Sequence, residues 1–260
     1  ISNIIQSTVA AAERIFGVLD EKEFVPDEPD CIQTEEGIVG NVDFENITFS
    51  YKPETPLIEN MNLHIKAGES VAIVGPTGAG KTTIVNLIMR FYEINGGAIK
   101  LDGIDIRHYS RAALRGSVGM VLQDTWLFSG SIKENIRYGR VNATDEDVIE
   151  AAKSAHAHHF ISTLPESYDF VLNEDGTNIS QGQRQLITIA RAIISQPKIL
   201  ILDEATSSVD TRTEVAIQDA MAKMMTNRTS FVIAHRLSTI KNAKLILVMN
   251  KGKIIETGTH

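Results

Sequence analysis

The sequence predicts an α/β fold: a mostly parallel sheet covered by helices, with an antiparallel β region near its start and a helical insert. Three observations predict it. The apolar run Val71, Ala72, Ile73, Val74 leads straight into GPTGAGKT at 75–82 and then into helix-forming residues. Short apolar runs return after residue 198, spaced by stretches of helical pattern, the order expected of parallel strands joined by crossover helices. Across residues 131–197, strand signals fade and helical periodicity takes over.

Taken in order, Ile1, Ile4, Ile5, Ala12, Ile15, Phe16 and Leu19 fall at helical spacing. The pattern starts without an initiator methionine, and the chain closes on Gly258-Thr259-His260. The expectation is a piece of a longer polypeptide, with residues 1–20 the tail of an element whose beginning is missing. Residues 20–40 are acidic and proline-containing and read as a linker, in which Cys31 has no assigned role. Val42, Phe44, Ile47, Phe49 and Tyr51 form a strand-like pattern, interrupted at Asn46. Leu63 and Ile65 lead into the strand before the glycine-rich loop, after which a helix is expected over 82–91. Strands follow at 99–101, before the turn Asp102-Gly103, and at 118–122, ending at Gln123. Thr144 and Asp147 make a capping box for a helix through Ala157. The last third alternates strands at 199–202, 231–233, 245–249 and 253–256 with helices at 211–225 and 237–241.

Composition narrows the function. A chain of 260 residues, 43% hydrophobic, can bury a sizeable core. A net charge of −8 argues against nucleic acid as a partner, since phosphate-backbone binding leaves a basic stripe. A single cysteine excludes an intramolecular disulfide and any multi-cysteine metal site, and a reducing, cytosolic setting fits. No apolar run approaches the roughly 20 residues that span a bilayer. The histidines at 156, 158 and 159 read as a histidine-rich helix end rather than a metal site, because no cysteine or carboxylate stands at supporting spacing.

The chemistry lies in GPTGAGKT, which matches the phosphate-loop pattern in its required setting between a strand and a helix. A triphosphate needs several donors converging on its oxygens, and backbone N–H groups supply them only where no Cβ blocks the approach. Gly75, Gly78 and Gly80 clear that space, and Pro76, Thr77 and Ala79 complete the loop. The following helix, with Thr83 in its first turn, points its positive end at the anion. Lys81 adds a full charge for the β- and γ-phosphates, and the Thr82 hydroxyl is placed to ligate Mg²⁺. The chain is therefore expected to bind a nucleoside triphosphate. The run ILILDE at 199–204 puts two carboxylates at the end of a strand suited to burial on both faces. Alternation separates them: Asp203 is expected to face the Mg²⁺ held by Thr82, and Glu204 to polarise a water beside the γ-phosphate.

With Asn178-Ile179-Ser180-Gln181-Gly182-Gln183-Arg184-Gln185 added to these two motifs, the chain resembles the ATP-binding cassette family. More narrowly, it resembles the nucleotide-binding domain of exporters of the multidrug and lipid-flippase group, from Val42 to His260. The resemblance implies a P-loop core over 41–260, an antiparallel β lobe, and a helical lobe at 131–197 carrying the signature. It implies that residues 1–20 are the cytoplasmic end of the last transmembrane helix. It also implies that Tyr51 stacks on adenine, that Gln123 senses Mg²⁺ and the attacking water, and that His235 contacts the γ-phosphate and orients Glu204. Ser207-Ser208-Val209-Asp210 matches the loop that crosses between two cassettes. The signature departs from the commonest form, Leu-Ser-Gly-Gly-Gln, at Ile179 and Gln181, and keeps Ser180, Gly182 and Gln183. Asn173-Glu174-Asp175-Gly176 stands where exporters touch the membrane domain, and a solvated acidic turn is an equal reading.

The function implied is ATP hydrolysis, with Mg²⁺, coupled to export. The partners implied are a second cassette, identical or related, and a membrane domain of the same polypeptide. The location implied is the cytoplasmic face of a membrane, in a multi-pass protein. A chromosome-maintenance ATPase would need a long coiled-coil insertion and a basic face, and the sequence has neither. A cassette that only held ATP would lack the carboxylate at Glu204 or His235, and both are present.

Overall fold

The computed structural model describes residues 2–21, 25–122, 125–203, 209–234 and 237–260, without the side chains of 2–4, 237 and 238. Helix α1 (Ser2–Leu19) leaves Ile5, Val9, Ile15, Phe16 and Leu19 more than half exposed. No helix among the described residues is long and apolar enough to cross a membrane.

Residues 25–40, read as a linker, lie against the domain. Cys31 and Ile38 are buried, Ile32 exchanges backbone hydrogen bonds with His108 and Ser110, and the Asp27 carboxylate pairs with the Arg111 guanidinium. At the end of this strap, the Asp102 carboxylate accepts from the N–H groups of Val39 (2.7 Å), Gly40 (3.1 Å) and Asn41 (2.8 Å).

Strand β1 (Val42–Phe49) then pairs antiparallel with β2 (Ile58–Ile65). The interruption at Asn46 is a bulge: Asn46 takes φ +49°, the register shifts between Phe44 and Ile47, and both apolar side chains reach the core. Strand β3 (Ser70–Val74) runs into the glycine-rich loop and α2 (Lys81–Ile88). The helix expected to reach Phe91 stops at Ile88. Arg90 takes φ +51°, and its buried guanidinium donates to Glu93 (2.8 Å) and the Tyr109 carbonyl (3.3 Å). β4 (Gly96–Leu101) and β5 (Ile104–Asp105) complete a four-stranded sheet in the order β2-β1-β4-β5. A short helix that the pattern did not reveal, α3 (Arg111–Gly116), is capped by Ser110, whose hydroxyl accepts from the Ala113 N–H. It precedes β6 (Val118–Val121).

The helical lobe follows: β7 (Gly130–Ser131), α4 (Ile132–Arg137), α5 (Asp145–Ser154), α6 (His158–Thr163), β8 (Val171–Leu172) and α7 (Gln181–Ile194). Thr144 and Asp147 cap α5 reciprocally, as the spacing predicts. The helix ends at Ser154 rather than Ala157 because His156 turns the chain at φ +58°, its imidazole 2.5 Å from the Asp219 carboxylate.

The chain returns through β9 (Ile199–Asp203), α8 (Thr211–Met225), β10 (Thr229–Ile233), α9 (Leu237–Asn242), β11 (Leu245–Asn250) and β12 (Lys253–Gly258). The central sheet has the order β12-β11-β3-β10-β9-β6, parallel throughout except for β12. Strand alternation divides its faces between two cores. Val71, Ile73, Ile199, Ile201, Phe231 and Ile233 pack with α2 and the antiparallel sheet. Leu200, Leu202 and Val232 pack with the helical lobe and α8.

Candidate functional site

The glycine-rich loop is shaped by contacts from both of its chain neighbours and from a distant hairpin. Gly75 adopts φ +154°, and a Cβ there would lie 2.3 Å from the Met249 carbonyl of β11, so only glycine closes this approach. Pro76, Thr77 and Gly78 are exposed at the loop's crest, whereas the Ala79 methyl is buried in the core. Gly80 is the N-cap of α2, with φ +98°. The turn between β11 and β12 reaches the loop from the other side: the Gly252 N–H donates to the Ala79 carbonyl at 2.8 Å. Sequence reading missed Gly252. Its signal was an Asn-Lys-Gly turn between two strands, which by itself says nothing of a loop far away in the chain.

Lys81 and Thr82 are the first residues of α2. The Lys81 ammonium spans the loop, donating to the carbonyls of Gly75 (2.7 Å) and Pro76 (3.0 Å). Thr82 is exposed at the helix start, while Thr83 is buried and its hydroxyl receives a hydrogen bond from the Tyr51 phenol at 3.2 Å. Tyr51 itself lies just past β1, with its ring about half exposed. The structure thus brings the base-stacking candidate and the phosphate loop together on one helix.

The register of the central sheet places Asp203 with them. Asp203 pairs with Ile233 across β9 and β10, and Ile233 pairs with Ile73 of β3. Asp203 therefore stands level with the strand end that opens the loop. It also shares the face of Ile199 and Ile201, the face covered by α2. Thr82 and Asp203 offer a hydroxyl and a carboxylate, hard oxygen donors suited to a small divalent cation, and the donor set fits Mg²⁺. Gln123, Glu204, Ser207, Ser208 and His235 lie outside the described residues.

Ser180, Gly182 and Gln183 are not part of this cluster. They form the start of α7, a helix that packs on α4, α5 and α8. Ser180 is an exposed N-cap. Its hydroxyl accepts from the Gln183 N–H at 3.2 Å, and the Gln183 amide oxygen accepts from the Ser180 N–H at 2.9 Å. Gly182 is buried against α8, where a Cβ would lie 2.5 Å from the Thr213 methyl. Ile179 fills the core as a leucine would. Deeper in α7, the Arg191 guanidinium donates to the Asn135 carbonyl (2.8 Å), its amide oxygen (2.9 Å) and the Trp126 carbonyl (3.0 Å). Burial pushes the Arg191 pKa down. Asp210 caps α8 through the Thr213 N–H, a bond that holds its carboxyl below the ordinary range. The histidines form no metal cluster among the described residues: His156 meets Asp219, and His158 meets the Tyr168 hydroxyl at 2.8 Å.

Residues 58–207 match the family model described as ABC transporter. Over 259 residues the chain is 56% identical to a fatty acid ABC transporter ATP-binding/permease protein of Mycobacterium bovis, covering 99% of this chain and 40% of that protein. It is 47% identical over 260 residues to an ATP-dependent lipid A-core flippase of Syntrophus aciditrophicus, covering 100% of this chain and 43% of that protein. A solved bacterial Atm1-family ABC exporter with ATP bound superposes with a TM-score of 0.86 at 40% identity, covering 99% of this chain and 45% of that one. The chain thus spans less than half the length of these relatives. With a glycine-rich phosphate loop, a strand-end aspartate and a capped start of α7 in one α/β frame, the chain belongs to the ABC transporter family, as a nucleotide-binding domain of the exporter type.

Proposed function

We propose that this domain drives an exporter by closing head to tail on a second cassette and hydrolysing ATP in the closed state. The observation that carries the reading is the separation of two anion-binding elements within one chain. The phosphate loop with Thr82 and Asp203 stands at the end of the central sheet, and the exposed Ser180 N-cap opens α7 in the helical lobe. A helix start aimed at solvent is complete as a phosphate site only when another surface brings the phosphate to it.

In the site so formed, the amides of 75–82 and the Lys81 ammonium hold the β- and γ-phosphates. To do so, Lys81 exchanges its two loop carbonyls for phosphate oxygens. The Tyr51 ring stacks on the adenine. Thr82, Asp203 and Gln123 would hold Mg²⁺, which when bound neutralises charge developing on the phosphoryl oxygens. Glu204 accepts a proton from the attacking water, and His235 orients Glu204 against the γ-phosphate. Ser180, Gly182 and Gln183 bind the γ-phosphate of ATP held by the other cassette. Loss of that phosphate removes the bridge between the two halves and lets them part. The two halves are identical or closely related. Residues 1–20 continue a membrane domain of the same polypeptide, and the domain lies on the cytoplasmic face of a membrane. Segments beyond this chain would read the cargo, and relatives named for a fatty acid and for lipid A-core support an acyl-chain-bearing amphiphile as its class.

The test is Mg²⁺-ATP hydrolysis as a function of protein concentration, with Glu204→Gln in parallel. The turnover per molecule is expected to rise with concentration. The variant is expected to bind ATP normally, lose hydrolysis, and accumulate an ATP-bound dimer detectable by size exclusion. Hydrolysis by Glu204→Gln near the parent rate removes Glu204 as the base. Tight ATP binding without turnover at any concentration points instead to a module that holds ATP.

A further inference from the structure

Tyr51 is held by groups that none of the steps above uses. Its hydroxyl donates to Thr83 Oγ1 at 3.2 Å and accepts from Asn86 Nδ2 at 3.2 Å. Thr83 and Asn86 are three residues apart on α2, one above the other on a single helix face. The ring is also gripped by its neighbours. Tyr92, just beyond α2, meets it edge to face with centroids 4.9 Å apart and an interplanar angle of 89°. Phe49 does the same at 4.9 Å and 83°. Yet 47% of Tyr51 stays exposed. A half-exposed tyrosine ordinarily samples several rotamers and must be ordered when it stacks on a ligand. Here two hydrogen bonds to the helix that begins at Lys81 and Thr82, and two ring contacts from Phe49 at the end of β1 and Tyr92 past the end of α2, order it beforehand.

We propose that Asn86 and Tyr92 are positioning residues for nucleotide binding: they lock Tyr51 to α2, so that the base platform and the phosphate loop form one rigid unit with a preset span. The inference rests on the reading of Tyr51 as the base-stacking residue. A platform ordered before binding lowers the cost of capture and leaves the chemical step untouched. Its loss therefore acts on KM and not on kcat. It also acts only on ligands that carry a base.

The experiment compares Asn86→Leu, Tyr92→Leu, Tyr51→Phe and Tyr51→Ala in the intact protein. The readouts are KM and kcat for MgATP and the inhibition constant of inorganic tripolyphosphate, which occupies the phosphate loop without a base. Asn86→Leu and Tyr92→Leu are each expected to raise KM about 3- to 10-fold, the effect of losing one hydrogen bond or ring contact. The kcat at saturation and the tripolyphosphate constant are expected to hold. Tyr51→Phe, which loses the Thr83 bond as well, is expected to raise KM at least as much as Asn86→Leu, with the double variant no worse than Tyr51→Phe, because the phenylalanine has already removed the Asn86 bond. If Tyr51→Ala leaves KM unchanged, the base-stacking reading itself fails. If Tyr51→Ala raises KM while Asn86→Leu and Tyr92→Leu do not, the positioning role alone is overturned. A parallel loss of tripolyphosphate binding in Asn86→Leu overturns it as well, because the residue then serves only the integrity of α2.

Discussion

Lys81 illustrates how one side chain can serve both the folded loop and its ligand. Its ammonium lies 2.7 Å from the Gly75 carbonyl and 3.0 Å from that of Pro76, which closes the loop around a single positive charge. Lys81→Ala removes the charge and leaves those two carbonyls facing each other. The expected outcome is ATP binding weaker by at least about 10-fold, the scale of a hydrogen bond to a charged group, measured by calorimetry. Unchanged affinity would separate Lys81 from the phosphates. Lys81, Thr82 and Asp203 were legible in the sequence because each follows directly from a short local pattern, a strand that ends and a loop or carboxylate that begins. Asn86 and Tyr92 were not legible, since a polar helix residue and an aromatic after it acquire meaning only when Tyr51 arrives from another strand.

At the scale of elements, the β11–β12 hairpin acts as a brace for the phosphate loop. Its turn donates the Gly252 N–H to Ala79 and sets Gly252 at φ +74°. A Cβ at that position would lie 1.5 Å from the Leu57 carbonyl, closer than any rearrangement of side chains can relieve. Gly252→Ala is expected to destabilise the fold by about 2–4 kcal/mol, from backbone strain and overpacking together, read by denaturant unfolding. Nucleotide affinity is expected to fall with it, since the turn that moves is the one holding the loop. Helix α5 starts where its capping box puts it, at Asp145, and α8 spans the Thr211–Met225 that its periodicity predicts. The ends of α2 and α5 lie where tertiary partners put them, because Arg90 and His156 are drawn into left-handed backbone by Glu93 and Asp219.

For the whole molecule, residues 25–40 connect α1 to the nucleotide domain as a docked strap, pinned at one end by Asp27 on Arg111 and at the other by Asp102. Burial alone would raise the Asp102 pKa, but the N–H groups of Asn41, Gly40 and Val39 outweigh it and hold the carboxyl below its ordinary value of 3.8. A carboxyl depressed in the folded state contributes stability that is present above its unfolded pKa and lost as pH falls through its folded one. The parent is therefore expected to lose strap docking below pH ~4. In Asp102→Asn this contribution is missing at neutral pH, and the fall of unfolding free energy with acidity is shallower. Equal pH slopes for the two proteins would show that Asp102 does not fasten the strap. The docked strap is tied by Asp27 to Arg90, just past the end of α2, and through Arg111 to Glu93.

The sequence by itself determined the α/β class, the phosphate loop, the strand-end carboxylate and the capped start of α5. Each is a local pattern whose physics closes within about ten residues: an apolar run, a helix cap or a glycine turn. The tertiary structure alone decided that the strap docks, that Gly252 braces the loop, and that Tyr51 is tied to the helix that opens on the phosphates. Those features join residues distant along the chain, and they appear only when the order β11-β3-β10-β9 and the bulge at Asn46 bring their strands to one edge. Local propensity sets which elements form. The contacts made when the elements pack set what the site can hold.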